Sequence, residues 1–403
     1  MTAPGGTPGS GKAAVPVLPD GPPRAAGRVA VRSIAGPRGV VVHVATAMGD
    51  PERPRPATGG LRVLPGRVGT ADGLLGPRRL SSRLAAEALL KHRIHRTGFW
   101  GAKLVVTGAR GVDDTVLRLV AAVLDGYGGS LYAGAGMGVS AEDLAALAAL
   151  SPYVLDAAGA GIGPHTATAH GVLGAIEAWT GGPPAGLRAL VHGTGKVGRA
   201  VARELVAAGA TVLTYDSAPG AAALPGCRPV RAWADTPVDV FVPCSVGDLI
   251  GPSLALNLRC GAVIGSASAV LADQAATAAV LDRRGVVHMP PPLVNAGAAI
   301  ADSIQRYAPA ALRAAAPADV YAFVRQTVRS SATAHLLRAG NRPAGTPPFL
   351  PAEPLPDEEI CGRRFAAGRA SAPPADPGTG VRAVPRQGRG EPAAGAVRRG
   401  PPG

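Results

Sequence analysis

The sequence predicts a two-domain α/β protein in which the second domain is built on a doubly wound parallel sheet. Its 403 residues exceed the length of one ordinary core, and 47% hydrophobic residues allow two cores to be buried. Short apolar runs alternate with helical stretches along the second half, which is the pattern of an open parallel sheet.

The ends of the chain have a different composition from its middle. We expect disorder over residues 1–27 and 341–403, because these Pro-, Gly- and Ala-rich segments cannot bury a core. The ordered body is then expected to comprise a first α/β domain at 28–165, a second domain at 166–324 and a C-terminal helix at 325–340.

Charge and composition exclude several classes of protein. The net charge of +14 could indicate nucleic-acid binding, but the arginines are scattered and aromatic residues make up only 3%. No apolar run is long enough for a signal peptide or a membrane span, so we expect a cytoplasmic protein without nucleic-acid or membrane partners. The four isolated cysteines fit neither a disulfide framework nor a metal site.

A glycine motif begins the second domain. The apolar run 189–193 leads into GTGKVG at 193–198, a helical stretch follows, and the next strand, TVLTY, ends at Asp216. This strand, loop, helix, strand and acid order is the dinucleotide-binding fingerprint of a Rossmann-type domain. The loop residues predicted to bind the cofactor are Gly193, Thr194, Gly195, Lys196, Val197 and Gly198.

Asp216 predicts which dinucleotide is bound. A carboxylate at this position accepts a hydrogen bond from the ribose 2′-OH and repels a 2′-phosphate, which favours NAD. Later strand ends place further residues at the same cleft, and ordinary turn chemistry is the alternative for each of them, with Cys244 also typical of a buried small residue. These residues are Cys244, Ser245, Ser266 and Asn295.

The first domain has no nucleotide fingerprint and is the expected place for a small-molecule substrate. We predict strands at RVAVRSI and at 39–46, a loop at ATGGLRVL, and a helix and strand that carry Lys91 and Lys103. The chain has only four lysines among 41 basic residues. Lysine, unlike arginine, can lose its proton when buried, so these two positions are candidates for acid/base chemistry, although an exposed lysine is the common case.

The string KHRIHRTGFWGAK (91–103) resembles the active-site segment of the Glu/Leu/Phe/Val amino-acid dehydrogenases, in which two lysines bracket a loop. The resemblance covers about residues 28–340 and is closest to the leucine/phenylalanine/valine branch. Further segments resemble that family in the same order: ATGGLR (57–62), GPHTATAHGV (163–172), GTGKVG with Asp216, FVPCSVG (241–247), VIGSAS (263–268) and LVNAG (293–297).

This resemblance implies a reaction and the residues that perform it. The enzyme would interconvert an L-amino acid and its 2-oxo acid with NAD and ammonia, as a homo-oligomer (dimer or higher) joined through its first domain. Lys91, with Gly59 and Gly60, would bind the substrate carboxylate, and Lys103 would be the catalytic lysine. Thr168 and Asn295 would lie beside the nicotinamide and the substrate, and the helix at 325–340 would return to the first domain.

The sequence departs from the family where the family has a proton-shuttling aspartate. The aligned stretch LYAGAGMGVSAEDL (131–144) places Gly136 at that position. Altered or weak activity is one consequence, and a catalytically silent NAD-binding sensor or partner protein is the alternative. The proton relay could also have moved, and His165 on the hinge segment is the candidate, with an ordinary surface histidine as the competing interpretation.

Overall fold

The computed structural model describes residues 29–48, 54–64, 76–339 and 356–370. The segments expected to be disordered, 1–27 and most of 341–403, lie outside these residues. Two separate sheets form the described part, one of five strands and one of six. The predicted two-domain α/β architecture is therefore confirmed.

The first sheet has the strand order β1-β2-β4-β3-β5. Its β1, β2 and β4 pair antiparallel, whereas β3 pairs parallel to both β4 and β5. The strands are β1 (Val29–Ala35), β2 (Val41–Ala47), β3 (Ala57–Val63), β4 (Trp100–Thr107) and β5 (Leu131–Gly134). The helices of this domain are α1 (Gly76–Ile94), α2 (Asp114–Gly126) and α3 (Ala141–Leu150).

The segment ATGGLRV, expected to be a loop, is the strand β3 between β4 and β5. Its glycines weakened the strand signal in the sequence, because glycine is poor in strands without a packing reason. The reason here is close approach: a Cβ atom at Gly59 would lie 1.7 Å from the carbonyl oxygen of Ala102 on β4. Only a residue without a side chain fits this backbone contact.

The second sheet is entirely parallel and has the order β11-β10-β9-β6-β7-β8. The strand order reverses between β6 and β9, so the connections that follow these two paired strands leave in opposite directions and form a crevice at their carboxyl ends, where ligands of such sheets bind. The strands are β6 (Arg188–His192), β7 (Thr211–Tyr215), β8 (Cys227–Pro229), β9 (Val240–Pro243), β10 (Ala262–Val263) and β11 (Val287–His288). Among its helices are α5 (Lys196–Ala207), α6 (Pro252–Asn257) and α7 (Gln274–Arg283).

A layer of helices covers this sheet and reaches the first domain. It consists of α4 (Pro164–Thr180), α8 (Pro291–Val294), α9 (Gly297–Tyr307), α10 (Pro309–Arg313) and α11 (Pro317–Ala339). Helix α11 packs mainly on α4, with Val320, Val324 and Val328 fully buried. It meets the end of α1 where Ser331 Oγ lies 3.3 Å from His95 Nδ1. The helix expected at 325–340 is the C-terminal part of the longer helix α11, and its return to the first domain stays a prediction.

The segment expected to be a tail contains one more helix, α12 (Cys361–Ala370). Two apolar side chains hold this helix against the rest of the protein. Cys361 is fully buried, and Phe365 is 4% exposed and packs edge-on against Phe323 with ring centroids 5.2 Å apart. The Cys361 amide donates to the carbonyl of Arg96 at 2.8 Å. Helix α12 therefore contacts the turn that precedes β4 in the first domain.

No helix among the described residues has the length and apolar character needed to cross a membrane.

Phe365→Ala is expected to lower the free energy of unfolding by about 3 to 5 kcal/mol, because it leaves a cavity between α11 and α12. Thermal and urea unfolding followed by circular dichroism measures this loss. Leu337→Ala is the control, since Leu337 is 71% exposed and its truncation is expected to change stability by less than about 0.5 kcal/mol. Equal stability of the two variants would show that α12 does not pack on α11.

Candidate active site

The glycine loop GTGKVG joins β6 to α5 with its glycines in distinct environments. Gly193 has φ +91°, and a Cβ atom at Gly198 would lie 1.9 Å from the carbonyl oxygen of Gly193. Gly195 is the N-cap of α5, and no atom lies within 4 Å of the place where its Cβ would be. The loop is packed tightly where Gly198 meets Gly193 and is open at Gly195, so a pyrophosphate has space at the helix N-terminus.

Asp216 follows β7 and holds this loop. Its Oδ2 accepts hydrogen bonds from the backbone nitrogen of Thr194 at 2.7 Å and from Thr194 Oγ1 at 3.0 Å. Its Oδ1 accepts from the backbone nitrogen of Ala218 at 2.9 Å. The hydrogen bonds from the Ala218 and Thr194 amides lower the pKa of Asp216, so its carboxylate is a fixed negative charge beside the loop.

Other residues predicted at this cleft follow the neighbouring strands. Asn295 is buried, its Nδ2 donates to the carbonyl of Ser266 at 2.9 Å, and its Oδ1 has no hydrogen-bond partner among the described residues. An unpartnered buried acceptor is costly unless a ligand supplies the donor, which fits a cofactor or substrate at this point. Ser245 Oγ and His192 Nδ1 are hydrogen-bonded at 2.7 Å. Burial raises the pKa of Cys244, so its thiol is neutral.

The hinge segment supplies the start of α4. Thr168 donates its hydroxyl to the carbonyl of Pro164 at 2.8 Å. His165 is exposed, and partial burial together with the charges of Lys196 and Arg203 lowers its pKa. The structure thus places His165 toward the glycine loop and α5, whereas the charged groups that act on Lys103 lie in the first domain.

Lys91 and Lys103 lie close enough for the charge of Lys91 to act on Lys103. Lys91 lies in the last turn of α1 and Lys103 in β4. Burial lowers the pKa of both, and that of Lys103 falls to about 7 because the charges of Lys91 and Arg62 add to the effect of burial. A side chain that exchanges a proton near neutral pH is suited to general acid/base work.

The glycine pair makes room for this amine. The Lys103 Nζ atom lies 3.1 Å from the place where a Cβ at Gly60 would be. Glu87 acts on both lysines and raises both pKa values, opposing burial. Sequence reasoning missed Glu87, although it stands four residues before Lys91 on the same face of α1, a spacing that pairs acid with base.

The two histidines between the lysines are structural. His92 donates Nε2–H to the carbonyl of Thr58 at 3.1 Å and accepts at Nδ1 from the Thr97 hydroxyl at 2.7 Å. His95 donates to the carbonyl of Leu293 at 3.0 Å. Burial lowers the pKa of His92 to about 3 and that of His95 to about 4, so both rings are neutral. They fix β3 and α8 to the end of α1.

Gly136 cannot carry a side chain in this backbone. A Cβ atom there would lie 1.9 Å from the carbonyl oxygen of Leu61 on β3. The departure from the family is therefore more than a lost carboxyl group, because the loop after β5 has closed onto β3. A restored aspartate at this position would have to displace the backbone.

Asp302 is an acid near Lys103 that sequence reasoning missed. It lies on α9, and its Oδ2 is 3.0 Å from the place where a Cβ at Gly134 would be. Burial raises its pKa to about 8, and the charge of Asp156 adds to the shift. A lone acid in GAAIADSIQRY gave little signal, since only the packing of α9 on the first sheet brings it to the cleft.

Gly136→Ala is expected to lower the free energy of unfolding by about 1 to 3 kcal/mol, because the added methyl overlaps the Leu61 carbonyl. Chemical unfolding of the purified protein measures this change. Gly111→Ala is the control, since Gly111 has open space at its Cβ position and its substitution is expected to be neutral within about 0.5 kcal/mol. A neutral Gly136→Ala would show that this loop has room for a side chain.

Comparison with known proteins places these features in context. No protein-family model matches the chain. It is 24% identical over 260 residues to an L-tryptophan dehydrogenase of Nostoc punctiforme, covering 61% of this chain and 71% of that protein. It is 28% identical over 275 residues to a phenylalanine dehydrogenase of Caldalkalibacillus thermarum, covering 63% and 73%.

Solved structures show the same fold. The L-tryptophan dehydrogenase of Nostoc punctiforme matches with a TM-score of 0.59 and 20% identity, over 85% of this chain and 95% of that one. A hetero-hexameric glutamate dehydrogenase from Thermus thermophilus matches with a TM-score of 0.61 and 21% identity, over 85% and 88%. Sequence similarity and fold together confirm the resemblance of this chain to the amino-acid dehydrogenases.

Proposed function

We propose that this protein is an NAD-dependent dehydrogenase that interconverts an L-amino acid with its 2-oxo acid and ammonia. The observation that carries the proposal is the pair of half-buried lysines, with the pKa of Lys103 lowered to about 7. A structural lysine gains nothing from burial beside another cation, whereas a proton-exchanging amine needs this environment.

The two lysines have separate tasks. Lys91 keeps a charge that attracts the substrate carboxylate, next to the open backbone at Gly59 and Gly60. Lys103 exchanges protons with the reacting group and polarises the carbonyl of the 2-oxo acid or activates the water that adds to the iminium carbon. Glu87 partly offsets the positive charge of the pair.

The second domain fits a dinucleotide. The loop GTGKVG would hold the pyrophosphate and Asp216 the ribose, while Asn295 and Thr168 lie toward the nicotinamide end. The unpartnered Oδ1 of Asn295 is the observation that supports a ligand at that end. NAD, when bound, accepts the hydride from the substrate α-carbon.

The proposal includes an assembled protein. We propose a homo-oligomer, at least a dimer, joined through the first domain. One structural neighbour is described as a hetero-hexameric glutamate dehydrogenase. A cytoplasmic location stays a prediction of the sequence.

The direct test is formation of NADH from NAD with a panel of L-amino acids, and its oxidation with 2-oxo acids and ammonia. Lys103→Arg is expected to reduce kcat by about 10²- to 10⁴-fold, because arginine keeps the charge but cannot release its proton. Lys12→Arg, the same exchange in the segment predicted to lie outside the ordered body, is the control and is expected to keep full activity. No change in NADH with any substrate, despite measurable NAD binding, would instead favour a silent binding protein.

The pH dependence follows from the pKa of Lys103, which is about 7. If its neutral amine accepts the proton during oxidation, kcat/KM rises about tenfold per pH unit below that value and levels off above it. Steady-state kinetics over about two pH units on either side of this pKa, in buffers of constant ionic strength, measures the profile. A flat profile across pH 7 would show that Lys103 is not the group that titrates.

A further inference from the structure

The region beside the lysines, between the first sheet and α9 and called the recess below, contains the carboxyl group of Asp302. Gly60 pairs with Gly134 and Thr58 pairs with Tyr132 in the β3–β5 register. Residues paired in this way share a face of the sheet, and so do residues two apart on a strand. Arg306 of α9 lies over the ring of Tyr132, with its guanidinium carbon 5.5 Å from the ring centroid, so this face is the one that α9 covers.

Lys103 and Asp302 lie at this same face. The Lys103 amine lies against Gly60, and the carboxyl of Asp302 lies against the paired Gly134. The absence of a side chain at Gly134 is what admits the acid, since a Cβ there would lie 3.0 Å from Asp302 Oδ2. A substrate held by the lysines would therefore extend toward Asp302.

The carboxyl group in this recess has no protein partner. Among the described residues, no hydrogen bond or ion pair engages Asp302. A poorly solvated carboxyl group without a partner destabilises a fold unless a ligand satisfies it, which fits a polar ligand at this point.

Electrostatics indicates the sign of that ligand. Asp302 has a second carboxylate, that of Asp156, close enough to raise its pKa further above the effect of burial. Asp156 itself caps the turn at residues 157–160 by accepting from the Gly159 amide at 3.2 Å. The nearest cation on α9, Arg306, lies over Tyr132 and Tyr307 and does not neutralise the pair.

Asp302 is placed for recognition of the substrate more than for proton transfer. The charges that shift Lys103 are those of Lys91, Arg62 and Glu87, and Asp302 is not among them. With its pKa raised to about 8, the Asp302 carboxyl is mostly protonated at neutral pH when no ligand is bound. A bound cation favours the carboxylate and forms charge-assisted hydrogen bonds with it, whereas an apolar substrate side chain offers it no partner.

We propose that Asp302 binds the cationic end of the substrate side chain, so that the enzyme acts on basic L-amino acids. This inference rests on the proposed dehydrogenase function and adds the substrate class.

The test compares kcat/KM for L-lysine, L-ornithine and L-arginine with that for L-norleucine, which has the chain of lysine without its amine. The wild-type protein is expected to favour at least one basic substrate by tenfold or more, because a charge-assisted bond replaces an unpaired acid (about 1.4 kcal/mol per tenfold). Asp302→Asn is expected to lower that value about 30-fold or more. Its kcat/KM for L-norleucine should stay equal or rise.

Asp282→Asn is the matched control, because Asp282 is exposed on α7, outside the recess, and its kcat/KM values should not change. Circular dichroism shows whether each variant is folded. Preference of the wild-type protein for norleucine, leucine or phenylalanine would overturn the inference and leave the dehydrogenase function standing. An equal loss of kcat for every substrate in Asp302→Asn would also overturn it, since the acid would then act in the chemistry.

A protein that forms no NADH with any amino acid would overturn the proposed function. Calorimetric titration of L-lysine into the protein with NADH present then decides the inference. Lysine binding that is lost in Asp302→Asn and kept in Asp282→Asn supports it, and no lysine binding to the wild-type protein overturns it.

Discussion

The burial of the Lys103 amine is the constraint on which the rest of the site depends. A Cβ atom at Gly60 would lie 2.4 Å from the carbonyl oxygen of Ala135 and 3.1 Å from Lys103 Nζ, so this position of β3 requires glycine and the amine lies directly against it. The adjoining Gly59 lets the β3 backbone approach Ala102 of β4. Because Lys91 and Arg62 add positive charge to a site that is poorly solvated, the pKa of Lys103 falls to about 7. An ordinary strand at β3 would push the amine into solvent and lose this effect.

The position of β4 is set by the second half of the chain. The turn before it includes Gly98, whose carbonyl accepts from Tyr307 of α9 at 2.5 Å. The carbonyl of Thr97 accepts from Ser303 at 2.7 Å, and that of Arg96 accepts from the amide of Cys361. Helices α9 and α12 thus hold the turn from which β4 begins, and α9 also carries Asp302. Helix α9 therefore contacts both the turn that begins β4, the strand of Lys103, and the recess that contains Asp302.

The distribution of carboxyl groups separates this chain from the family pattern. At Gly136, backbone contact with Leu61 leaves no space for a side chain. Gly134, which pairs with Gly60 on the neighbouring strand, makes space for the side chain of Asp302. The acid that remains is therefore placed along the path of a substrate side chain. In the function proposed above, Lys103 is the titrating group beside the reacting atoms, and the carboxyl groups serve charge balance and recognition.

The sequence by itself determined the features that local spacing encodes. The loop GTGKVG with Asp216 predicted the dinucleotide fold, and KHRIHRTGFWGAK predicted two neighbouring lysines, because each pattern lies within a short stretch of consecutive elements. It did not reveal β3 as a strand, since its two glycines look like a turn until β4 is beside them. It also did not reveal Asp302, which is 199 residues from Lys103 in the chain. Only the packing of α9 against the first sheet brings that acid to the lysines, because contacts between distant elements leave no periodic signal in the residues that make them.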